Sequence, residues 1–526
     1  MSSENDPPAV AVAAEQKGAA AREAGRGGIA IAVAKISFVL VGFVQQLVLP
    51  RVLDEAGFGA TSRMLSIVSV INNVIVATSL QGVSRMVAAA PEERQATTFR
   101  ATLQMHAVIA IVASTAFALL ASNIADWVSA PSAATPLRVA AGVVRCYGVY
   151  APLVGALNGR RRFVDQAGLD IFYGISRTVL MCSGAYIFAR ILGHDGALGA
   201  ALGFVAAAAL IIPVAIKRGG IGIKGPGGPS ARDYLGFLLP VALAQGGLNL
   251  LLQADFLLLS NVAGDYAAQM GLDPKEADKL LGPYRASQLF GFLPYQLLMS
   301  VQFVLFPMLA KAHGEGDAEG VKRLTRSGVR TALVLTGLIA GSVGAIAPHL
   351  IRFAFPEPIA DGGVPFVRQY VIGLSALAIL GVSSSALASL RRERLSMALT
   401  WLAAGLVIGA ILLTRGSATF GPDLLRATAF ATAGAMLVAG VLSAVLLWRA
   451  AGALVAPLSL VRVLAAGAIT VAVGSFIPYM GKAIVPLLGI AMVVLYVGAL
   501  IALRELTGAD LAMLKNVLAR RRAKAP

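Results

Sequence analysis

Apolar runs of roughly 20 residues recur from one end of this chain to the other, each long enough to cross about 30 Å of hydrocarbon as an α-helix. Inside a bilayer every backbone N–H and C=O must be satisfied by the protein itself, and a continuous helix does this locally. Composition agrees: 57% of the 526 residues are hydrophobic and 13% are charged. That is too little charge to cover a soluble protein of this length. The expected class is an all-α polytopic membrane protein.

About 14 transmembrane helices are expected, near 28–50, 60–84, 101–123, 138–158, 166–190, 196–216, 233–260, 285–310, 329–351, 366–390, 395–414, 426–448, 459–479 and 483–503. The first run follows a polar, Ala-rich tail and has no convincing small-residue cleavage site, so it reads as a retained helix rather than a signal peptide. Loop charge tests the count. With the N-terminus inside, roughly 29 of the 44 Lys and Arg fall on cytoplasmic segments, about 12 on outer ones and three within spans. Arg160-Arg161-Arg162 and Arg391-Arg392 with Arg394 are two of the inner clusters. Both termini are therefore expected on the cytoplasmic side of the membrane.

The net charge of +17 would suggest nucleic acid in a soluble protein. Here it follows the topology and faces an anionic inner leaflet of membrane lipids, with no basic patch interleaved with exposed aromatics, so no nucleic-acid partner is expected. Cys146 and Cys182 lie within spans as small core residues. His106, His194, His313 and His349 are scattered without ligand spacing, so neither a metal site nor a cofactor is expected. A Walker-type phosphate loop is absent. The longest outer connection, 261–284, is short and lacks His, so a transporter is expected rather than an enzyme.

The chain also repeats itself. Ala156-Leu157-Asn158-Gly159-Arg160-Arg161-Arg162 and Ala386-Leu387-Ala388-Ser389-Leu390-Arg391-Arg392 leave the fourth and tenth spans. Met86-Val87-Ala88-Ala89-Ala90 and Met308-Leu309-Ala310-Lys311-Ala312 end the second and eighth. Same order and same side of the membrane imply a parallel duplication of six spans. The expected plan is a disordered tail (1–27), a six-helix lobe (28–218), a cytoplasmic linker (219–232), a second six-helix lobe (233–450), two added spans (451–504) and a basic amphipathic helix (505–526). In that last segment Leu511, Leu514, Val517 and Leu518 form an apolar stripe ahead of three arginines. Two pseudo-symmetric lobes around a central cleft would move by alternating access.

Three cations, Lys35, Arg145 and Arg177, fall inside spans of the N-terminal lobe. A charge near the bilayer centre costs at least a few kcal/mol unless it faces a cavity or a partner. Lys35 either faces a cavity or snorkels to the inner interface. Arg177 shares a helical face with Tyr173 and Asp170, which suits a polar stripe toward a cleft or an internal pair with Asp170. Arg145 lies in the span or, if the fourth helix starts later, toward the outer interface. A cationic cavity under apolar helices suits an anionic head group on a lipid tail, and Arg grips a diphosphate bidentately. In the seventh span Gln245, Asn249 and Gln253 repeat every four residues, either lining the cleft against sugar hydroxyls or joining helices. Asp255 points away from that stripe and either binds a coupling ion or pairs with a basic residue. Arg285, Gln288 and Gln296 share a face of the eighth span. Pro240 and Pro294, beside these polar residues, are the hinge candidates.

Several motifs resemble bacterial polysaccharide flippases. Lys35-Ile36-Ser37-Phe38, Gly42-Phe43, Leu49-Pro50-Arg51-Val52-Leu53 and Gly57-Phe58-Gly59 resemble their opening helix and its exit. Gly82-Val83-Ser84-Arg85 resembles the close of their second helix, and Leu157 to Phe163 their basic fourth-to-fifth loop. Tyr284-Arg285-Ala286, with Pro294 and Phe306-Pro307, resembles their eighth helix. The similarity covers roughly 28–450 and implies the multidrug/oligosaccharidyl-lipid/polysaccharide exporter superfamily. It departs at Leu390-Arg391-Arg392-Glu393-Arg394, where relatives more often carry Gly. The resemblance implies a flippase moving undecaprenyl-diphosphate-linked oligosaccharide across the bacterial inner (cytoplasmic) membrane, with Arg285 as an outer-gate contact and Asp255 as the ion-coupling candidate. A coupling proton or sodium ion, and polysaccharide assembly proteins, are the further partners it implies. A lipid II flippase shares the fold and the span count. A multidrug cation antiporter would call for acidic cavity residues instead.

Overall fold

The computed structural model describes residues 9–226 and 228–507, with side chains from residue 30 onward apart from 300, 303 and 304. Among the described residues there are helices and no strands, and 13 helical segments are long and apolar enough to cross a membrane. The chain is a multi-pass membrane protein. It divides into two compact units, 1–249 and 250–526.

The first unit comprises α1 (Ala9–Val52), α2 (Glu55–Ala89), α3 (Glu92–Trp127), α4 (Ala134–Gly159), α5 (Phe163–Tyr186), α6 (Gly196–Gly219) and the first part of α7 (Ala231–Gln269). The backbone is helical from Ala9, earlier than the expected start at 28; residues 1–8 of the expected disordered tail lie outside the described residues. Asp54 caps α2 by accepting from Gly57 N at 2.7 Å, and Asp195 caps α6 through Ala197 N at 2.8 Å. α4 sits at the middle, packed on α2, α3 and α6, while α5 joins α1 to α6. Small residues allow the close approaches that membrane helices need. A Cβ on Gly148 would lie 2.1 Å from Ala110, and one on Gly203 2.1 Å from the Leu180 carbonyl. The start of α7 belongs to this unit because it is bonded in. Buried Tyr234 meets His106 Nε2 at 2.6 Å, and His106 Nδ1 meets Ser79 Oγ at 3.0 Å. The unit boundary thus falls within α7 rather than at the expected linker.

The second unit holds the rest of α7, then α8 (Pro274–Gly291), α9 (Leu293–Gly314), α10 (Ala318–Ala345), the short α11 (Ala347–Ala354) and α12 (Glu357–Gly363), α13 (Val367–Leu374), α14 (Ala376–Ser389), α15 (Glu393–Thr414), α16 (Pro422–Ala451), α17 (Pro457–Ser475) and α18 (Val485–Ala502). The expected eighth span is not one helix. It breaks at Phe292, with Pro294 in the first turn of α9, because proline cannot donate to the preceding turn. Pro240, by contrast, lies inside an unbroken α7.

The order of packing repeats between the units. α2 on α4, α3 on α4, α4 on α6 and α5 on α6 correspond to α9 on α14, α10 on α13 and α14, α14 on α16, and α15 on α16. The two basic turns match bond for bond. Arg162 N donates to Leu157 O at 2.8 Å and Arg161 N to Asn158 O at 2.9 Å; Arg392 N donates to Leu387 O at 3.0 Å and Arg391 N to Ala388 O at 3.1 Å. Both are Schellman ends with an arginine, φ +60° or +57°, in the left-handed position. The two added helices pack on α10 and on each other. Buried Glu505 anchors their end, accepting from Arg330 Nε at 2.8 Å. The expected amphipathic stripe beyond it lies outside the described residues.

Candidate binding site

In the first unit α1, α2, α4, α5 and α6 line a cavity of about 400 Å³. Lys35 and Phe38 enter from α1, Ser69, Asn72 and Asn73 from α2, Tyr147 and Tyr150 from α4, Gln166, Asp170, Tyr173 and Arg177 from α5, and Phe204 from α6. The α5 set follows from helical spacing, since positions 166, 170, 173 and 177 stack on one face. Arg177 is fixed by its surroundings: its Nε donates to Gln45 Oε1 at 3.2 Å, and its guanidinium lies 5.3 Å from the Phe38 ring centroid and 5.7 Å from that of Phe204. Lys35 is exposed at the cavity and within Coulombic range of Asp170. Tyr147 packs edge-on against Tyr150 and Tyr173, with centroids 5.8 and 5.2 Å away. Two cations, one carboxylate, amides and phenols therefore converge on one partly open space, the combination that orients a small polar anion.

The second unit carries a polar cluster of another kind. Asp255 on α7 is 3% exposed. Its carboxylate accepts from Tyr370 Oη at 2.6 Å, Tyr284 Oη at 2.9 Å, Gln288 Nε2 at 3.0 and 3.1 Å and the Phe256 N–H at 2.8 Å. Gln288 in turn accepts from Arg285 Nη1 at 2.8 Å, and that guanidinium lies 4.7 Å from the Phe256 ring centroid. Asp255 is thus linked to a basic residue through Gln288, by a single amide bridge.

The sequence candidates separate accordingly. Lys35 and Arg177 line one cavity; Arg145 does not line it. Arg145 is exposed on α4 and donates to Ser114 Oγ at 3.2 Å and Thr115 Oγ1 at 3.4 Å, so the three cations do not form one group. The polar stripe of α7 does not act as a unit either. Asn249 Nδ2 donates to the Gln245 carbonyl at 2.9 Å and its Oδ1 accepts from Asn73 at 2.9 Å, which joins helices next to the cavity. Gln253 has a buried Oε1 without a partner among the described residues. Arg285 belongs to the Asp255 cluster. The polar and aromatic cavity residues missed from sequence are Ser69, Asn72, Asn73, Gln166, Tyr147, Tyr150 and Phe204. The adjacent Asn72-Asn73 pair within an apolar span was the available signal; the tyrosines on apolar helices carried none. Arg63, 1% exposed in α2, is a further buried cation the sequence reading passed over.

A family model described as "Polysaccharide biosynthesis protein" matches residues 24–313. A probable multidrug resistance protein NorM of Deinococcus radiodurans is 31% identical over 83 residues, 16% of this chain and 18% of that protein. The chain thus matches less than a fifth of that relative's length. Among solved structures, the lipid II flippase MurJ in an inward closed conformation superposes with a TM-score of 0.69 at 14% identity, covering 91% of this chain and 99% of MurJ. A multidrug-resistance transporter of the MATE family in an inward-facing conformation gives 0.62 at 14% identity, covering 80% and 98%. A MOP-superfamily transporter from Pyrococcus furiosus, described by the reverse polarity of its binding pocket, gives 0.60 at 14% identity, covering 82% and 95%. At these identities the likeness is one of fold.

Proposed function

The chain belongs to the polysaccharide biosynthesis protein family, and from that membership we propose that it is a flippase carrying undecaprenyl-diphosphate-linked oligosaccharide across a bacterial inner membrane. One observation carries the reading: Lys35 and Arg177 line a single cavity together with amides and phenols. Cations within a bilayer are costly unless something negative meets them, and a diphosphate on a polyprenyl tail supplies that charge while the tail stays in lipid. Net transport needs differential binding between two conformational states. Asp255 is the coupling candidate, as a carboxylate buried on the helix that passes from one unit into the next, with a proton or sodium ion as the coupling species. Polysaccharide assembly proteins are the partners that would supply or take up the glycan.

The fold shared with MurJ over nearly its full length supports a second reading, a lipid II flippase, which would use the same cations on the same diphosphate chemistry. The cationic lining disfavours a drug-cation antiporter.

The test is native mass spectrometry of the protein extracted from its own membrane, beside Lys35→Ala/Arg177→Ala and Arg145→Ala. A polyprenyl-diphosphate glycan retained by the wild type and by Arg145→Ala, and lost in the double variant, is the expected outcome; the sugar mass separates oligosaccharide from lipid II. Retention by the double variant would sink the proposal.

A further inference from the structure

We infer that the cavity of the first unit is a subsite for one hydroxyl-rich ring bearing a single anionic group, either a glycosyl phosphate or a sugar acid. The inference takes from the flippase reading only the idea that such a ring arrives on a lipid carrier. It starts from groups with no partner. Asn72 Oδ1 and Tyr150 Oη are buried, line the cavity, and make no hydrogen bond among the described residues. Their residues are 6% and 5% exposed. Buried polar atoms left unmade cost free energy, so an orphaned set around one space points to a ligand that completes it.

The orphans specify the ligand. Asn72 Oδ1 is an acceptor and requires a donor. A fully ionised phosphate ester offers acceptors alone at its phosphate; a ring hydroxyl donates to Asn72 and accepts from a phenol. The cations fix the charge. Lys35 lies within Coulombic range of the Asp170 carboxylate and Arg177 lines the same cavity, so one positive charge is left over for the ligand. A carboxylate on the ring, or the singly charged phosphodiester that joins a ring to a carrier, matches that remainder. The size agrees, because about 400 Å³ lies near the lower end of small-molecule sites and holds one ring rather than a string of sugars.

The experiment is saturation-transfer NMR titration of the full chain in nanodiscs with glucose 1-phosphate, glucuronate, glucose and inorganic phosphate. At least one ring anion is expected to bind about tenfold more tightly than glucose, which lacks the anion, or inorganic phosphate, which lacks the ring hydroxyls. Preference for glucose 1-phosphate assigns the anion to the glycosyl phosphate; preference for glucuronate assigns it to an acidic sugar. Tyr150→Phe is expected to reduce that advantage severalfold while leaving inorganic phosphate binding and thermal stability unchanged, because it deletes only an unpartnered hydroxyl. Ring anions binding no better than phosphate, or a Tyr150→Phe variant that binds them as the wild type does, overturns the subsite. If the probes bind as expected and no lipid-linked glycan is retained in native membranes, the subsite stands and the flippase reading falls. If the glycan is retained while the probes fail to discriminate, the reverse holds.

Discussion

The two units share a packing order and differ in what they do with polar side chains. In the first, amide and phenol groups stand around one cavity, and two of them, Asn72 and Tyr150, lack partners. In the second, Asp255 is surrounded by donors from α7, α8 and α13 that answer one another. One six-helix plan therefore supports an open polar site and a closed polar knot. Groups in the closed knot should hold the fold together, whereas groups in the open site should matter chiefly for what binds there.

The largest effect tests the knot. Asp255→Ala leaves two buried phenols and an amide without the carboxylate they donate to, and should cost about 3–5 kcal/mol in denaturant unfolding of the detergent-solubilised protein. Asp255→Asn keeps an acceptor oxygen and should recover most of that loss. A loss under about 1 kcal/mol for the alanine variant, with ion dependence of transport abolished, would instead make Asp255 an ion site with little structural role.

The open site should behave in the opposite way. Lys35→Ala/Arg177→Ala should lower affinity for a lipid-linked diphosphate by about 100-fold, two charge-assisted contacts being lost, with stability unchanged within about 1 kcal/mol. Arg145→Ala, outside the cavity, should change affinity by less than about twofold. Equal losses from all three cations in a radiolabelled-lipid binding assay would erase the distinction between cavity and surface.

Within the knot, Tyr370→Phe removes one donor and leaves a carboxylate that keeps four other contacts. About 1–2 kcal/mol of stability should be lost, read from thermal unfolding. The matching deletion in the cavity, Tyr150→Phe, should cost nothing measurable. That pair makes the sharpest comparison, since the chemical change is identical and only the partnering differs.

What the sequence revealed follows the same division. Charges within apolar runs are conspicuous because their desolvation cost is large, so Lys35 and Arg177 could be singled out, and helical spacing added Tyr173 and Asp170. Spacing could not tell that Arg145, equally charged, bonds to Ser114 on α3 outside the cavity. Tyr147 and Tyr150 read as ordinary core, because a phenol on an apolar helix carries no mark of what its hydroxyl faces. Asp255 was visible, yet its partner Tyr370 lies 115 residues away, and only the fold brings them together. Helix count survived because hydrophobic length is a local property; the break at Phe292 did not, since a proline in a membrane span is tolerated as often as it breaks one.

The smallest effect probes the place where the units are most alike. Arg161 and Arg391 occupy the left-handed position of equivalent Schellman turns, where a β-carbon crowds the backbone and glycine relieves it. Arg161→Gly and Arg391→Gly should each raise stability by about 0.5 kcal/mol, less than the full relief because glycine also loosens the unfolded chain. Both turns are expected on the cytoplasmic side, where basic residues help fix orientation, so the substitutions should leave topology intact while several other arginines remain. Equal gains from the two variants in thermal unfolding would show that the repeated turn carries the same strain in both units. A gain at one and a loss at the other would mean that one arginine is held in place by contacts its counterpart lacks, and that the duplication has diverged even at its best-matched point.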